Sequence, residues 1–143
     1  GWDGQSAQGD YDFLKSVVCF DPSTGVWTNI NPMNEARYQL GVAVVGDKLF
    51  AIGGRDYAGD ALSSVECLDL SVPNSAWTPE APMTMPRSRF GVAMAGGKIY
   101  AIGGYGNARS SMECFDPNEG PQGRWTVIST PLNFALSARI SMC

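Results

Sequence analysis

The seven residues KLFAIGG, Lys48 to Gly54, return as KIYAIGG, Lys98 to Gly104. Five of the seven letters are identical, and the two exchanges, Leu to Ile and Phe to Tyr, keep their chemistry. The match belongs to a longer pattern. Trp27 recurs as Trp77 and again as Trp125, and Arg37 and Gly41 recur as Arg87 and Gly91. VVCFDP (17–22), VECLDL (65–70) and MECFDP (112–117) form a further line, as do NPM (31–33) and APM (81–83). Landmarks in constant order at a period near fifty residues mean that one supersecondary unit is stacked against copies of itself.

The composition says what kind of unit. There are 17 glycines and 9 prolines, and most of them punctuate short apolar runs. That pattern favours short strands and tight turns. No window carries a sustained 3.6-residue apolar period, so little helix is expected. GVAVV (41–45) and GVAMA (91–95) read as inner strands buried on both faces. Gly46-Asp47 and Gly96-Gly97 then suit two-residue hairpin turns leading into KLFAIGG and KIYAIGG. SVECLDL and SMECFDP supply a third strand, and a short fourth centres on the tryptophan. Four antiparallel strands per fifty residues make one blade of a β-propeller.

The doubled glycines end the second strand near the hub, where backbones of successive blades approach closely. Trp27, Trp77 and Trp125 are expected to be equivalent, buried anchors between neighbouring sheets, since an indole removes about 150–250 Å² from water. Cys19, Cys67 and Cys114 hold one place in three successive units. Facing sheets lie about 10 Å apart, beyond the reach of a disulfide, so these thiols should be free, small and buried.

The order Gly-Gly, SVECLDL, Trp, PM, Arg, GVAV, YAIGG resembles the kelch repeat, and in detail the repeats of the animal kelch-like (BTB-BACK-kelch) proteins. The expected fold is therefore all-β, a kelch-type propeller of about three four-stranded antiparallel blades, with repeat units at roughly 1–53, 54–103 and 104–143. Toward the end the pattern departs: Leu136 stands at the place of Arg37 and Arg87, and Ile140 at that of Gly41 and Gly91. Gly1 takes the place of the second glycine of a pair, and Cys143 falls within the first strand of a further unit. Propellers use about four to eight blades. The expectation is a piece of a six-bladed propeller, or two copies closing one ring.

The residues also limit the chemistry. The sequence holds no histidine, which removes Ser-His-Asp and Cys-His catalysis in their usual forms. It also removes the commonest ligand for zinc, copper or iron. None of Cys19, Cys67, Cys114 and Cys143 forms a C-x-x-C pair. GGYGNA and GGRDYAG are glycine-rich but lack G-K-S/T and a following helix, so a phosphate loop is not expected. The pairs Asp10/Asp12 and Asp56/Asp60 lie in loops with no calcium-loop spacing. With 14 acidic against 10 basic residues, neither nucleic acid nor a membrane surface is the expected partner. No enzyme activity, cofactor or metal is expected. Free thiols and the lack of an N-x-S/T sequon fit the cytoplasm or nucleus.

What remains is a binding surface on the loops at one end of the propeller. The residue after each glycine pair is Trp2, Arg55 and Tyr105 in turn, with Tyr57 and Asn107 two further along. The loop before each first strand carries Arg37 and Gln39, then Arg87 and Arg89. Arginine pairs bidentately with carboxylate or phosphate, and arginine and aromatics dominate interface hot spots. Arg37 and Arg87 suit either ligand contact or bracing of the loop. Asp10, Tyr11 and Asp12, in the long loop WDGQSAQGDYDFLKS, would flank the mouth. The resemblance implies that positions matching Trp2, Arg55, Tyr105, Arg87 and Arg89 line a pocket for a partner peptide, acidic or phosphorylated in several cases. It implies further that such propellers serve as substrate receptors of cullin-type ubiquitin ligases, joined to the cullin scaffold through BTB and BACK domains not in this chain. Kelch propellers that bind actin, and metal-dependent kelch-like oxidases, are the alternatives the resemblance leaves open.

Overall fold

The computed structural model describes residues 14–129. Trp2, Asp10, Tyr11, Asp12, Leu136, Ile140 and Cys143 lie outside them. Ten strands run in chain order: β1 (Val17–Asp21), β2 (Val26–Ile30), β3 (Gly41–Val45), β4 (Lys48–Ile52), β5 (Val65–Asp69), β6 (Thr78–Glu80), β7 (Gly91–Ala95), β8 (Lys98–Ile102), β9 (Met112–Asp116) and β10 (Arg124–Ile128). One turn of 3₁₀ helix, Gly106–Ala108, follows β8. β3–β6 form an antiparallel sheet in consecutive order, β7–β10 form a second, and β1–β2 form a two-stranded ribbon. Each four-stranded sheet is one blade. The ribbon corresponds to the outer half of a blade. The glycine-pair boundaries of the sequence units cut through the sheets, so the middle sheet takes β3–β4 from one unit and β5–β6 from the next.

The hairpin turns form where glycine permits them. Gly46 (φ +57°) turns β3 into β4, and Gly96 and Gly97 (φ +58° and +73°) turn β7 into β8. The registers are the same, Val45 opposite Lys48 and Ala95 opposite Lys98.

The expectation of two-sided burial for β3 is not met. Ala43 is buried, whereas Val42 and Val44 are about half exposed, at 55% and 47%. One face of β3 packs on the last sheet. On its other side, among the described residues, stands a ribbon of two strands in place of a four-stranded sheet.

Apolar side chains fill both seams of the middle sheet. Phe50, Ile52, Val65, Cys67, Ile99, Ala101, Phe115 and Trp125 form the larger cluster, between the middle and last sheets. Met33, Ala51, Leu68 and Trp77 form the smaller one, toward the ribbon. The indole of Trp77 donates to the Asn31 carbonyl at 2.7 Å, and that of Trp125 donates to the Ala81 carbonyl at 2.9 Å. Asn31 and Ala81 open the equivalent NPM and APM lines. Each tryptophan thus pins its sheet to the end of the preceding one. Trp27 corrects the expectation of three buried anchors. It is 65% exposed, because no sheet precedes the ribbon among the described residues, and it rests against Phe20 instead.

Cys19, Cys67 and Cys114 are free thiols, as expected. They are not uniformly buried: Cys19 is exposed and Cys114 is half-buried, the latter because no described sheet covers its face as the last sheet covers Cys67. Burial and the nearby Glu80 carboxylate push the Cys67 thiol up to about 11, so it stays protonated at neutral pH.

Each third strand ends in an aspartate that begins the turn to the fourth. Asp21 accepts from the Ser23 amide and hydroxyl, Asp69 does the same with Ser71, and Asp116 accepts from the Asn118 amide at 3.0 Å. These bonds hold all three carboxyls below the ordinary aspartate value, with Lys98 adding to the effect at Asp116. A depressed folded-state value gives stability that is present above the unfolded value and lost as pH falls through the folded one. The melting temperature is therefore expected to fall as pH drops from about 5 through 4 and below. Asp116→Asn should flatten that fall, and equal acid slopes for the variant and the parent chain would show that the turn bonds do not contribute.

Candidate functional site

The two glycine pairs bring the loops together. Gly53 has φ +55° and Gly54 φ +95°. A Cβ on Gly53 would stand 2.6 Å from the Arg87 carbonyl oxygen, which belongs to the next sheet. That same carbonyl accepts the Gly54 amide at 2.8 Å. The hub crowding read from the sequence is thus a backbone contact between blades. Beyond it, Tyr38 and Arg55 exchange amide-to-carbonyl bonds at 3.0 and 2.8 Å, Tyr105 donates to Ser88 at 2.9 Å, and Arg89 donates to Gln39 at 3.2 Å. The loops after the glycine pairs and those before β3 and β7 therefore share one end of the molecule.

Six of the expected binding residues stand at that end. Arg55 lies over the Tyr105 ring, 5.2 Å from its centroid, a cation–π contact that joins the middle and last blades. Arg55 also donates to Ser88 Oγ at 3.1 Å and to the Gly59 carbonyl at 2.8 Å, and remains half-exposed. Tyr57, Arg89, Tyr105 and Asn107 are exposed, and Gln39 is half-buried. Gln39 and Arg89, one repeat apart, both adopt the left-handed backbone at φ +54° and +51°. Two non-glycine residues held there, each against a cost of about 1–2 kcal/mol, indicate a loop shape that the packing imposes. A cavity of about 430 Å³ opens beside them, lined by Leu14, Tyr38, Gln39 and Tyr57. Gln39 Oε1 is buried and accepts no hydrogen bond among the described residues.

Arg37 and Arg87 sit apart from this group. Both side chains are fully buried. Arg87 pairs with Glu113 at 2.9 Å and donates to the carbonyls of Gly103, Ala108 and Ser111. Arg37 pairs with Glu66 at 3.0 Å and donates to Gly53 and Ser64. Of the two roles the sequence leaves open for them, the geometry carries the brace. The guanidinium ties the strand exits to the pre-strand loop, and its donors are directed inward.

Glu66 and Glu113, the partners of these arginines, lie outside the loops that the sequence pattern marks. Their signal is a carboxylate at the second place of each third strand, repeating as the arginine does. Each also accepts backbone amides. Glu66 takes those of Asn34 and Glu35, and Glu113 those of Thr84 and Met85. Glu35 reinforces the first copy, pairing with Arg37 at 2.9 Å and accepting from the Ser64 hydroxyl. In the ribbon the corresponding residue is Val18.

Asp56 and Asp60 close the loop after β4 upon itself. The Asp60 amide donates to Asp56 Oδ1 at 2.9 Å, and the Asp56 amide to the Asp60 carbonyl at 3.0 Å. Among the described residues, no group of three or more acidic or cysteine side chains is placed to hold a metal ion. No helix among them is long and apolar enough to cross a membrane.

The kelch motif matches residues 1–34, 36–84 and 86–132. This chain belongs to the kelch-repeat family. It is 51% identical over 41 residues to Kelch-like protein 28 of Mus musculus, a match covering 29% of this chain and 7% of that protein. It is 45% identical over 53 residues to Kelch-like protein 7 of Homo sapiens, covering 37% of this chain and 9% of that one. The matched segments thus span under a tenth of either relative. Among solved structures, that titled "Structure of YjhT" superimposes with a TM-score of 0.65 at 19% identity, over 82% of this chain and 40% of its own. That likeness establishes the kelch fold and nothing finer. The buried Arg–Glu brace is the part of the kelch unit that repeats among the described residues. Residues 39, 55, 57, 89, 105 and 107 are the parts that differ from one copy to the next.

Proposed function

We propose that this kelch chain is a non-catalytic protein-interaction module that binds a partner peptide at its loop end. The observation that carries this is the cluster formed by Arg55, Tyr105, Arg89, Tyr57, Asn107 and Gln39 across two blades, exposed in large part and set on a rigid hub. Arg89 projects from a constrained backbone position with no ion-pair partner among the described residues. Arg55 and Tyr105 form a flat rim beside it. Such a rim suits an acidic or phosphorylated segment, which the guanidinium groups bind and the aromatics cover. Trp2 would extend the same rim. The resemblance of the repeats to kelch-like proteins supports the role of substrate receptor in a cullin-type ubiquitin ligase, acting in the cytoplasm or nucleus through domains outside this chain. Arg37 and Arg87 serve the site as braces.

Arg89→Glu is the direct test, because that side chain is exposed. It is expected to abolish capture of the chain's own partner protein while leaving the melting curve unchanged. Arg55→Ala should weaken capture and cost some stability, through the lost Ser88 and Gly59 bonds. Full capture by the Arg55→Ala/Arg89→Ala double variant would place the binding surface elsewhere.

A further inference from the structure

The two buried braces are copies of one arrangement, and they differ at one place. In the first copy Glu35 stands two residues before Arg37, and in the second Met85 stands two residues before Arg87. Around that place the copies match group for group. Ser64 donates its hydroxyl to Glu35 Oε2, and Ser111 donates its hydroxyl to Met85 Sδ at 3.5 Å. Arg37 Nη2 donates to Ser64 Oγ at 3.1 Å and to Glu66 Oε2 at 3.0 Å. Arg87 Nη2 donates to Ser111 Oγ at 2.8 Å and to Glu113 Oε1 at 2.9 Å. The first copy adds a third acceptor, since Arg37 Nη2 also donates to Glu35 Oε2 at 2.9 Å. The second has a thioether sulfur there, which accepts only weakly. The Ser111 hydroxyl divides its proton between that sulfur and the Ala108 carbonyl at 3.0 Å.

We infer that Met85 is a site of reversible oxidation, at which a peroxide supplies the missing oxygen. With hydrogen peroxide, the sulfur attacks one oxygen and the S–O bond forms as the O–O bond breaks. The transferred hydroxyl gives its proton to the departing hydroxide, which leaves as water. Sulfur is oxidised and the peroxide is reduced. In the sulfoxide the new oxygen is bonded to Sδ, as the oxygens of glutamate are bonded to Cδ. It therefore stands as many bonds from the backbone as Glu35 Oε2 does. At Met85 it is placed to accept from the Ser111 hydroxyl and Arg87 Nη2, as Glu35 accepts from Ser64 and Arg37. The sulfoxide sulfur is chiral, and one epimer turns its oxygen toward Ser111.

The position is open to a small oxidant with a neighbouring sheet on either side. Met85 is half-buried with the middle sheet before it, and the Glu35 side chain is 40% exposed with the last sheet after its own. Met33 and Met83, by contrast, are buried in the core. Oxidation of a core methionine ordinarily loosens a fold. Here the same reaction adds an acceptor to a buried guanidinium that ties the exit of β8 to the loop carrying Arg89.

Graded hydrogen peroxide, followed by peptide mass mapping and thermal melts, tests this. A chain with Met94→Leu, Met112→Leu and Met142→Leu keeps Met85 beside the buried Met33 and Met83, and a thiol reductant after treatment restores the cysteines. Met85 is expected to gain one oxygen before Met33 and Met83 do, and the melting temperature to rise with the fraction converted. One epimer should form in the folded chain, so that after unfolding only one of the two stereospecific sulfoxide reductases restores it. Adding Met85→Leu should abolish the rise, and Ser111→Ala should diminish it. Met85→Glu should reproduce the rise without peroxide, which keeps the test decisive should Ser111→Ala fold poorly. Resistance of Met85 to peroxide until the chain unfolds would overturn the inference. So would a melting temperature that is unchanged or falls on conversion, a rise that persists in the Met85→Leu chain, or equal amounts of the two epimers.

Discussion

Glu113→Ala is expected to destabilise the chain by about 3–5 kcal/mol, the cost of leaving a buried guanidinium without its counter-charge. Glu113 and Arg87 are both fully buried, so water cannot take over the pairing. The carboxylate also accepts the Thr84 and Met85 amides, and these would be left unsatisfied as well. Chemical denaturation of parent and variant, at matched slopes, reads the difference. Glu113→Gln should cost less, because the amide oxygen still accepts. The paired replacement of Arg87 and Glu113 by apolar residues of similar volume should recover most of the loss, since it removes both charges together. A Glu113→Ala chain as stable as the parent would mean that the brace does not hold the blade.

Phe115→Ala should cost a comparable amount, about 3–5 kcal/mol, through lost burial and the cavity left behind. Its ring is fully buried and touches Phe50 of the neighbouring blade and Trp125 of its own. It also lies against Gly123, where an added Cβ would stand 2.2 Å from the ring, so the backbone there is fitted to it. The internal control is Phe20→Ala. Phe20 occupies the same place in the repeat but is 45% exposed in the single chain, and its loss should change monomer stability by under about 1 kcal/mol. Thermal and denaturant melts of the two variants, run at low protein concentration, make the comparison. Equal losses would show that burial in the inner seam is not what distinguishes them.

Much of the fold is legible in the letters because its signals are local. Period-2 apolar runs, glycines at the turns and aspartates closing the third strands each act within a few residues. The exact periodicity of KLFAIGG and KIYAIGG adds the long-range fact that units stack. The candidate site is legible only in outline. Arg37 and Gln39 stand two residues apart, as do Arg87 and Arg89, yet in each pair the first is an internal brace and the second lines the loop end. The alternation that separates them depends on Glu66 and Glu113, twenty-six to twenty-nine residues further along the chain. Pattern reading of the loop by itself does not reach that far.

The amino-acid sequence by itself determined the strand order, the hairpin turns, the propeller blade and the kelch unit, because each rests on short-range spacing repeated at a fixed period. Tertiary structure alone decided which copies of a repeated residue are buried. Trp27, Trp77 and Trp125 are one letter in one place, but the first is exposed and the others are not. Burial is a property of the neighbouring sheet, and the letter encodes only the capacity to fill that seam.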